Sequence, residues 1–227
     1  MKFKTILIDI DNTLLDFSAS EKIAFIKLLQ DLEIEYSDEL KAHYKEVNHK
    51  LWSDYEKGLI TSETIKEQRF AQSFESFKLK YTGLEMDAMY RSHLEENTVL
   101  VDGAIEMLES ISTEHNLVIV TNGIASSQYK RLENARIKHY FDYIAVSSEI
   151  GYTKPHTAFF ETVNNMYPKI EKDSTLILGD SLSADIRGGN NWGIKTCWFN
   201  PNGLDKDSGV HVDYEINNLK ELITIVK

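Results

Sequence analysis

The chain has 227 residues, with 36 acidic against 25 basic side chains, a formal net charge of −11 and 42% hydrophobic residues. That length can bury a sizeable core, as one large domain or two modest ones, and the composition is that of an ordinary globular protein. The acidic balance excludes a sequence-independent grip on nucleic-acid polymers or anionic membranes, so an anionic substrate needs a local metal or a few cations to hold it. The single cysteine, Cys197, rules out an intrachain disulfide. It lies in an apolar run, where it reads as a buried structural thiol in a reducing, cytoplasmic compartment. No apolar run reaches the length of a membrane span, and the N-terminus reads as a strand rather than a signal peptide.

The first element is an apolar run over 3–10 that meets two carboxylates, Asp9 and Asp11, and then Thr13. In an extended strand these two acids project to the same side and repel each other unless a cation or a shared proton relieves them. The pattern predicts a bound metal ion or an acid/base pair at the mouth of a parallel sheet. The alternative is a strand running into a polar turn, with both acids solvated. Helical patterns follow over 21–32, 38–57, 62–81 and 85–96, with apolar residues three and four apart, as in Ile23, Ile26 and Leu29 or Phe70, Phe74 and Phe77.

Further along, Asp102 is placed to cap a helix through Glu114, and Ser183 to open one that ends before Gly193. Continuous apolar runs at 117–120, 143–146, 176–178 and 196–199 read as strands buried on both faces of a parallel sheet. Strands alternating with helices point to an α/β, doubly wound fold. A crossover needs only about a dozen residues, so the roughly hundred residues between the first two strands predict a helical subdomain. Its joins, near Asp16-Phe17 and 97–101, are hinge candidates.

Open α/β sheets bind ligands outside the carboxyl ends of their strands. Here those ends carry Asp9 and Asp11, then Thr121-Asn122-Gly123, then Thr153-Lys154-Pro155, then Gly179-Asp180-Ser181 with Asp185 beyond. Singly, each has a plain explanation: Thr121 as turn chemistry, Lys154 as a loop cation, Asp180 as a helix cap. Together they supply carboxylates for a hard cation such as Mg²⁺, and a lysine and a hydroxyl for phosphate oxygens. A carboxylate facing a metal-bound phosphoryl group can attack it, while Asp11 protonates the leaving oxygen.

Asp9-x-Asp11-x-Thr13, Thr121, Lys154-Pro155 and Gly179-Asp180-x-x-x-x-Asp185 resemble, in order, the four motifs of the haloacid dehalogenase (HAD) superfamily. The resemblance implies a Rossmann-like parallel-sheet core over 1–16 and 98–227 and an inserted, all-helical type 1 cap over 17–97. It implies that Asp9 is the nucleophile and Asp11 the general acid/base. Asp9, the main-chain carbonyl of Asp11 and Asp180 would bind Mg²⁺, with Asp185 steadying the metal's water shell. Thr121 and Lys154 would hold the phosphate, with Asn122 as a further candidate. An acid at position 11 is similar to the phosphatases of the family, since its dehalogenases lack one.

Within the superfamily, the opening Asp11-Asn12-Thr13-Leu14-Leu15-Asp16-Phe17 resembles the pyrimidine 5′-nucleotidase branch. So do Leu51-Trp52-x-x-Tyr55-Glu56-x-Gly58-x-Ile60 with Arg69-Phe70, and Thr121-Asn122-Gly123 with Gln128 and Arg131-Leu132. This implies a small-molecule phosphate monoester as partner, a pyrimidine nucleotide above all, with the chain a monomer or weak homodimer. Asn12, Phe17, Trp52 and Tyr55 are candidate substrate contacts, the aromatics offering faces for a base; the alternative places those rings in the core of the cap. His156 stands where an acidic residue is common. Other readings are a phosphatase of sugar phosphates or phosphoglycolate, a phosphomutase, a receiver-like signalling phosphoacceptor, and a catalytically silent binding protein.

Overall fold

Alternate residues of the apolar runs face opposite sides of a six-stranded sheet whose neighbours all pair in parallel. The computed structural model describes residues 2–206 and 209–227. They form two compact units, one of Met1–Phe17 with Val99–Lys227 and the other of Ser18–Thr98. In chain order, β1 (Thr5–Ile8) is followed by α1 (Phe17–Asp31), α2 (Asp38–Glu56), α3 (Ser62–Ser73) and α4 (Gly83–Glu96). Then come α5 (Ala104–Ile111), β2 (Asn116–Thr121), α6 (Ala125–Asn134), β3 (Tyr143–Val146), α7 (Ser147–Ile150) and α8 (Thr157–Met166). The chain ends with β4 (Thr175–Gly179), α9 (Arg187–Trp192), β5 (Lys195–Phe199), β6 (Tyr214–Ile216) and α10 (Glu221–Val226).

The strand order is β3-β2-β1-β4-β5-β6, which puts β1 at the centre with its ends flanked by β2 and β4. Ile6 and Ile8, Leu117 and Ile119, and Leu176 and Leu178 turn to one face, where α5 covers them with Met107, Leu108 and Ile111 and α10 with Leu222 and Val226. Leu7, Val118, Val120 and Ile177 turn to the other, under Phe159, Phe160 and Val163 of α8 and Trp192 of α9. Burial on both faces is why these strands read as unbroken apolar runs.

Several boundaries differ from the sequence expectation. The ladder of β1 stops at Ile8 rather than running to 10, so the two-residue alternation does not govern Asp11. Residues 10–15 instead fold into a tight turn in which the N–H groups of Thr13, Leu14 and Leu15 all reach the Ile10 carbonyl, and Asn12 adopts a left-handed φ of 57°. Gly103, not Asp102, stands at the N-terminus of α5, with a φ of 80° that favours glycine. Ser181 rather than Ser183 caps the turn before α9, its hydroxyl accepting from the Ala184 N–H at 3.1 Å. The helix expected over 62–81 ends at Ser73, whose hydroxyl donates to the Arg69 carbonyl at 2.6 Å and competes with the ladder there. Three-residue β6 carries too short an apolar pattern to stand out in the sequence.

In the helical unit, α1 to α4 meet around packed rings: Tyr44 stacks on Phe25 at 4.5 Å and on Phe70 at 5.5 Å, and Phe70 meets Tyr90 at a tilt at 5.1 Å. Ile23 lies outside this core and is exposed, since the buried stripe of α1 is Ala24, Phe25, Leu28 and Leu29. Phe77 is likewise exposed once α3 has ended. Beside the rings, Asp87 is fully buried and paired with Arg69 and, at 2.6 Å, with Arg91. The Arg69 guanidinium also lies 4.7 Å over the Tyr90 ring. Among the described residues no helix is long and apolar enough to cross a membrane.

Candidate active site

Register places the ends of β1, β2 and β4 side by side, and the polar residues of the sequence motifs converge just beyond them. Asp9 follows β1 directly, its N–H bonded to the Leu178 carbonyl at 3.0 Å. Its carboxylate is buried and accepts from Lys154 Nζ at 2.6 Å. The same ammonium donates to Asp185 Oδ1 at 2.6 Å and to the Val120 carbonyl at 2.7 Å, which engages all three of its protons. Lys154 is itself held by Asn122, whose side chain accepts from the Lys154 N–H at 2.8 Å and donates to its carbonyl at 3.0 Å. The Asn122 amide, a phosphate candidate in the sequence, therefore acts on the lysine backbone.

Asp185 sits against Gly179, and a Cβ at Gly179 would overlap its carboxylate, so the last residue of β4 must lack a side chain. Its other oxygen accepts from the Ser181 N–H at 3.1 Å. Asp180 is held by Thr13, whose hydroxyl accepts from the Asp180 N–H at 3.1 Å. Trp198 donates its indole N–H to the Asp180 carbonyl at 2.8 Å. Thr13 thus ties the first motif to the fourth.

Crowding shows in the protonation preferences. Burial pushes the Asp9 carboxyl well above the usual carboxylate range; Lys154 pulls it down, while Asp185, Asp180 and Asp11 raise it further. Burial, with Asp185 next, pushes Asp180 up to about 7. Burial alone would lower Lys154, but Asp185 and Asp9 outweigh it and hold the lysine charged, above its ordinary value.

Oxygens of Asp9, Asp180 and Asp185 all lie within 4.8 Å of one another. With all three ionised, the Lys154 ammonium that pairs with Asp9 and Asp185 offsets one charge and leaves two for a divalent cation to balance. An all-oxygen donor set of this charge suits Mg²⁺. The residues present fit the metal that the sequence implies.

Asp11 is held elsewhere. Its Oδ1 accepts from Arg131 Nη1 at 2.6 Å and its Oδ2 from Gln128 Nε2 at 2.8 Å. Gln128 Nε2 also reaches Thr121 Oγ1 at 2.9 Å, joining Asp11 to the threonine that closes β2. Asp9 and Asp11 therefore sit within two residues of each other in different surroundings, one against an ammonium and two further acids, the other against a guanidinium and an amide.

Residues 6–199 match the model of the haloacid dehalogenase-like hydrolases. The chain belongs to that family. This HAD hydrolase is 36% identical, over 99% of its length and 96% of the relative's, to YfnB of Bacillus subtilis (strain 168), which is named only as a HAD-hydrolase. The crystal structure of YfnB, described as bound to magnesium and as revealing interdomain movement, matches the whole of both chains with a TM-score of 0.90. The chain is also similar to two proteins named pyrimidine 5′-nucleotidase. PynA of Streptococcus pneumoniae is 33% identical over 98% of this chain and 94% of its own length. YjjG of Escherichia coli is 29% identical over 98% and 97%.

Against that family frame, the hydrolase brings Asp9, Asp11, Thr121, Asn122, Lys154, Asp180 and Asp185 to one sheet edge. Phe17 packs with Arg131, the guanidinium 5.5 Å over its ring. Trp52 and Tyr55 belong to the helical unit, where they meet edge to face at 5.8 Å within a small cluster of Leu51, Ile65, Val47 and Ile60. Asn12 shapes the turn after β1, its N–H donating to the Leu15 carbonyl at 2.7 Å. His156 is exposed. Gln128, Arg131 and the bracing role of Thr13 went unassigned in the sequence. Gln128 and Arg131 stood in the sequence only within the segment that resembles the nucleotidase branch; the structure adds that they lie three apart on one face of α6 and are both buried although polar.

Proposed function

We propose that this HAD hydrolase is a Mg²⁺-dependent phosphomonoesterase that cleaves pyrimidine nucleoside monophosphates through an aspartyl-phosphate on Asp9. One observation carries the reading: Asp9 is buried among Lys154 and the carboxylates of Asp180 and Asp185, whereas Asp11 is held separately by Arg131 and Gln128. Paired acids in contrasting surroundings suit contrasting roles. An Asp9 oxygen bonds to phosphorus as the ester P–O bond breaks, and a proton on Asp11 passes to the leaving oxygen. Asp11, now ionised, takes a proton from water, which attacks phosphorus. The bond from phosphorus to Asp9 then breaks, releasing phosphate and restoring the carboxylate. Thr121 donates to the phosphate oxygens meanwhile, and Lys154 reaches them by exchanging one of the three hydrogen bonds it makes to Asp9, Asp185 and Val120.

Asp9, Asp180 and the main-chain carbonyl of Asp11, with Asp185 in support, would hold Mg²⁺, which would supply positive charge to the phosphoryl oxygens. The magnesium-bound structure of YfnB supports the choice of metal. The pyrimidine preference is supported by PynA and YjjG, which align through the helical unit as well as the sheet. The reading assigns 1–16 and 98–227 to catalysis and 17–97 to substrate selection, with Asn12, Phe17, Trp52 and Tyr55 as candidate contacts. A cytoplasmic site of action accords with Cys197, a buried free thiol.

The test is phosphate release from UMP, dUMP, dTMP, their purine counterparts, sugar phosphates and phosphoglycolate, with Mg²⁺ and with a chelator. The expected outcome is Mg²⁺-dependent release with the highest kcat/KM on the pyrimidine nucleotides. Preference for another class would discard the nucleotidase assignment and keep the catalytic chemistry. Isomer formation without phosphate release would replace hydrolysis by a mutase reaction.

A further inference from the structure

We propose that Gln128 and Arg131 are positioning residues for the proton transfer: together they hold the Asp11 carboxyl in the orientation that serves the leaving oxygen. The proposal rests on the phosphatase reading above and adds the means by which its acid is aimed.

The hydrogen bonds of this network admit one polarity. Arg131 Nη1 donates to Asp11 Oδ1 at 2.6 Å and to Gln128 Oε1 at 2.7 Å. With its oxygen facing a guanidinium, the Gln128 amide must turn its NH₂ toward Asp11 and Thr121, and its two hydrogens go to Asp11 Oδ2 at 2.8 Å and Thr121 Oγ1 at 2.9 Å. A flipped amide would set oxygen against carboxylate and NH₂ against guanidinium. Thr121 Oγ1 also accepts from the Gly123 N–H at 3.2 Å, so two donors already face it. Its own hydrogen is then the part left to donate, as holding a phosphate oxygen requires. Each Asp11 oxygen keeps a second lone pair, which leaves room for the proton that passes to the ester oxygen as the P–O bond breaks.

Two further observations argue that the arrangement serves function rather than packing. Arg131 is 1% exposed, yet its Nε and Nη2 have no hydrogen-bond partner among the described residues. A guanidinium buried for stability alone would be poorly served with two donors unsatisfied. Gly123 leaves the space that Gln128 fills: a Cβ there would overlap the Gln128 amide. The glycine after Asn122 thus gives a way to move Gln128 without altering Asp11, Thr121 or Gln128 itself.

The experiment compares wild type, Gln128→Glu, Gln128→Leu and Gly123→Ala on two esters, with thermal melting as the control for folding. One is the alkyl monoester turned over fastest in the panel above, whose alkoxide needs a proton to leave. The other is p-nitrophenyl phosphate, whose phenolate leaves without one. All three variants are expected to lose kcat/KM, which reports the first phosphoryl transfer and not the shared hydrolysis of the aspartyl-phosphate, about tenfold or more on the alkyl ester beyond any loss on p-nitrophenyl phosphate. Gln128→Glu keeps the size of the side chain but not the donors, so a packing role would be rescued by it and a positioning role would not. Equal losses on the two esters, rescue by Gln128→Glu, or no loss at all would overturn the proposal. A wild type that releases phosphate from neither ester would instead defeat the phosphatase reading itself, and this inference with it.

Discussion

Asp9 and Asp11 are separated by one residue and by most of their chemistry. Asp9 shares its oxygens with a buried ammonium and crowded acids, while Asp11 is 29% exposed and braced by neutral and cationic donors. Replacing Asp11 by Asn should keep the shape of the site and lower kcat by about 10²–10⁴, the range for lost proton transfer; steady-state phosphate release checks it. At Gly179 the constraint is space. Gly179→Ala should displace the Asp185 carboxylate, cost about 1–3 kcal/mol in urea denaturation through overpacking, and weaken Mg²⁺ binding measured by calorimetry. Asp9, Thr121 and Asp180 were legible in the sequence because each closes an apolar run, and Asp11, Lys154 and Asp185 because they follow such a run in the order of the family motifs. Gln128 and Arg131 were not assigned, because nothing in a helical stretch shows which side chains turn back toward a strand end. The alternation that pointed to Asp11 applied only as far as Ile8, where β1 stops.

At the scale of elements, the strands were legible and the helix ends less so. Apolar runs buried on both faces leave an unambiguous record, whereas α3 ends where the Ser73 hydroxyl takes up the Arg69 carbonyl, a local competition that periodicity does not carry. The buried triad of Arg69, Asp87 and Arg91 was equally invisible, since its members are far apart in the chain or look like surface charges. Removing the shared carboxylate with Asp87→Ala leaves Arg69 buried and uncompensated, and should destabilise the helical unit by about 3–5 kcal/mol in chemical denaturation.

Asp213 performs a comparable task at the edge of the sheet, before β6. It accepts from the Thr196 N–H at 3.0 Å and from Lys195 Nζ at 2.6 Å. Partial burial raises its carboxyl, but the Lys195 and Thr196 hydrogen bonds outweigh it and hold the group below its ordinary value. A carboxylate depressed on folding stabilises the native state above its ordinary range, and that contribution is lost as pH falls through the lowered value. The melting temperature of Asp213→Asn should therefore lie below wild type at neutral pH, with the gap closing in acid.

For the molecule as a whole, the sheet and the helical unit are each coherent bodies with their own cores, and the chain belongs to the HAD hydrolases along most of its length. The fold class followed from strands alternating with helices and from the long strand-free interval after β1. Substrate preference is less legible, because Trp52 and Tyr55 pack on each other within the helical unit, and aromatic content alone does not separate a base-binding face from a small core. The catalytic claim can be tested apart from that preference. The decisive measurement is Mg²⁺-dependent phosphate release from a panel of monoesters by wild type and by Asp9→Asn, the two first shown to melt alike. Turnover by wild type with a fall of about 10⁴-fold or more in the variant is expected for loss of a nucleophile. Activity retained by folded Asp9→Asn would contradict the aspartyl-phosphate mechanism.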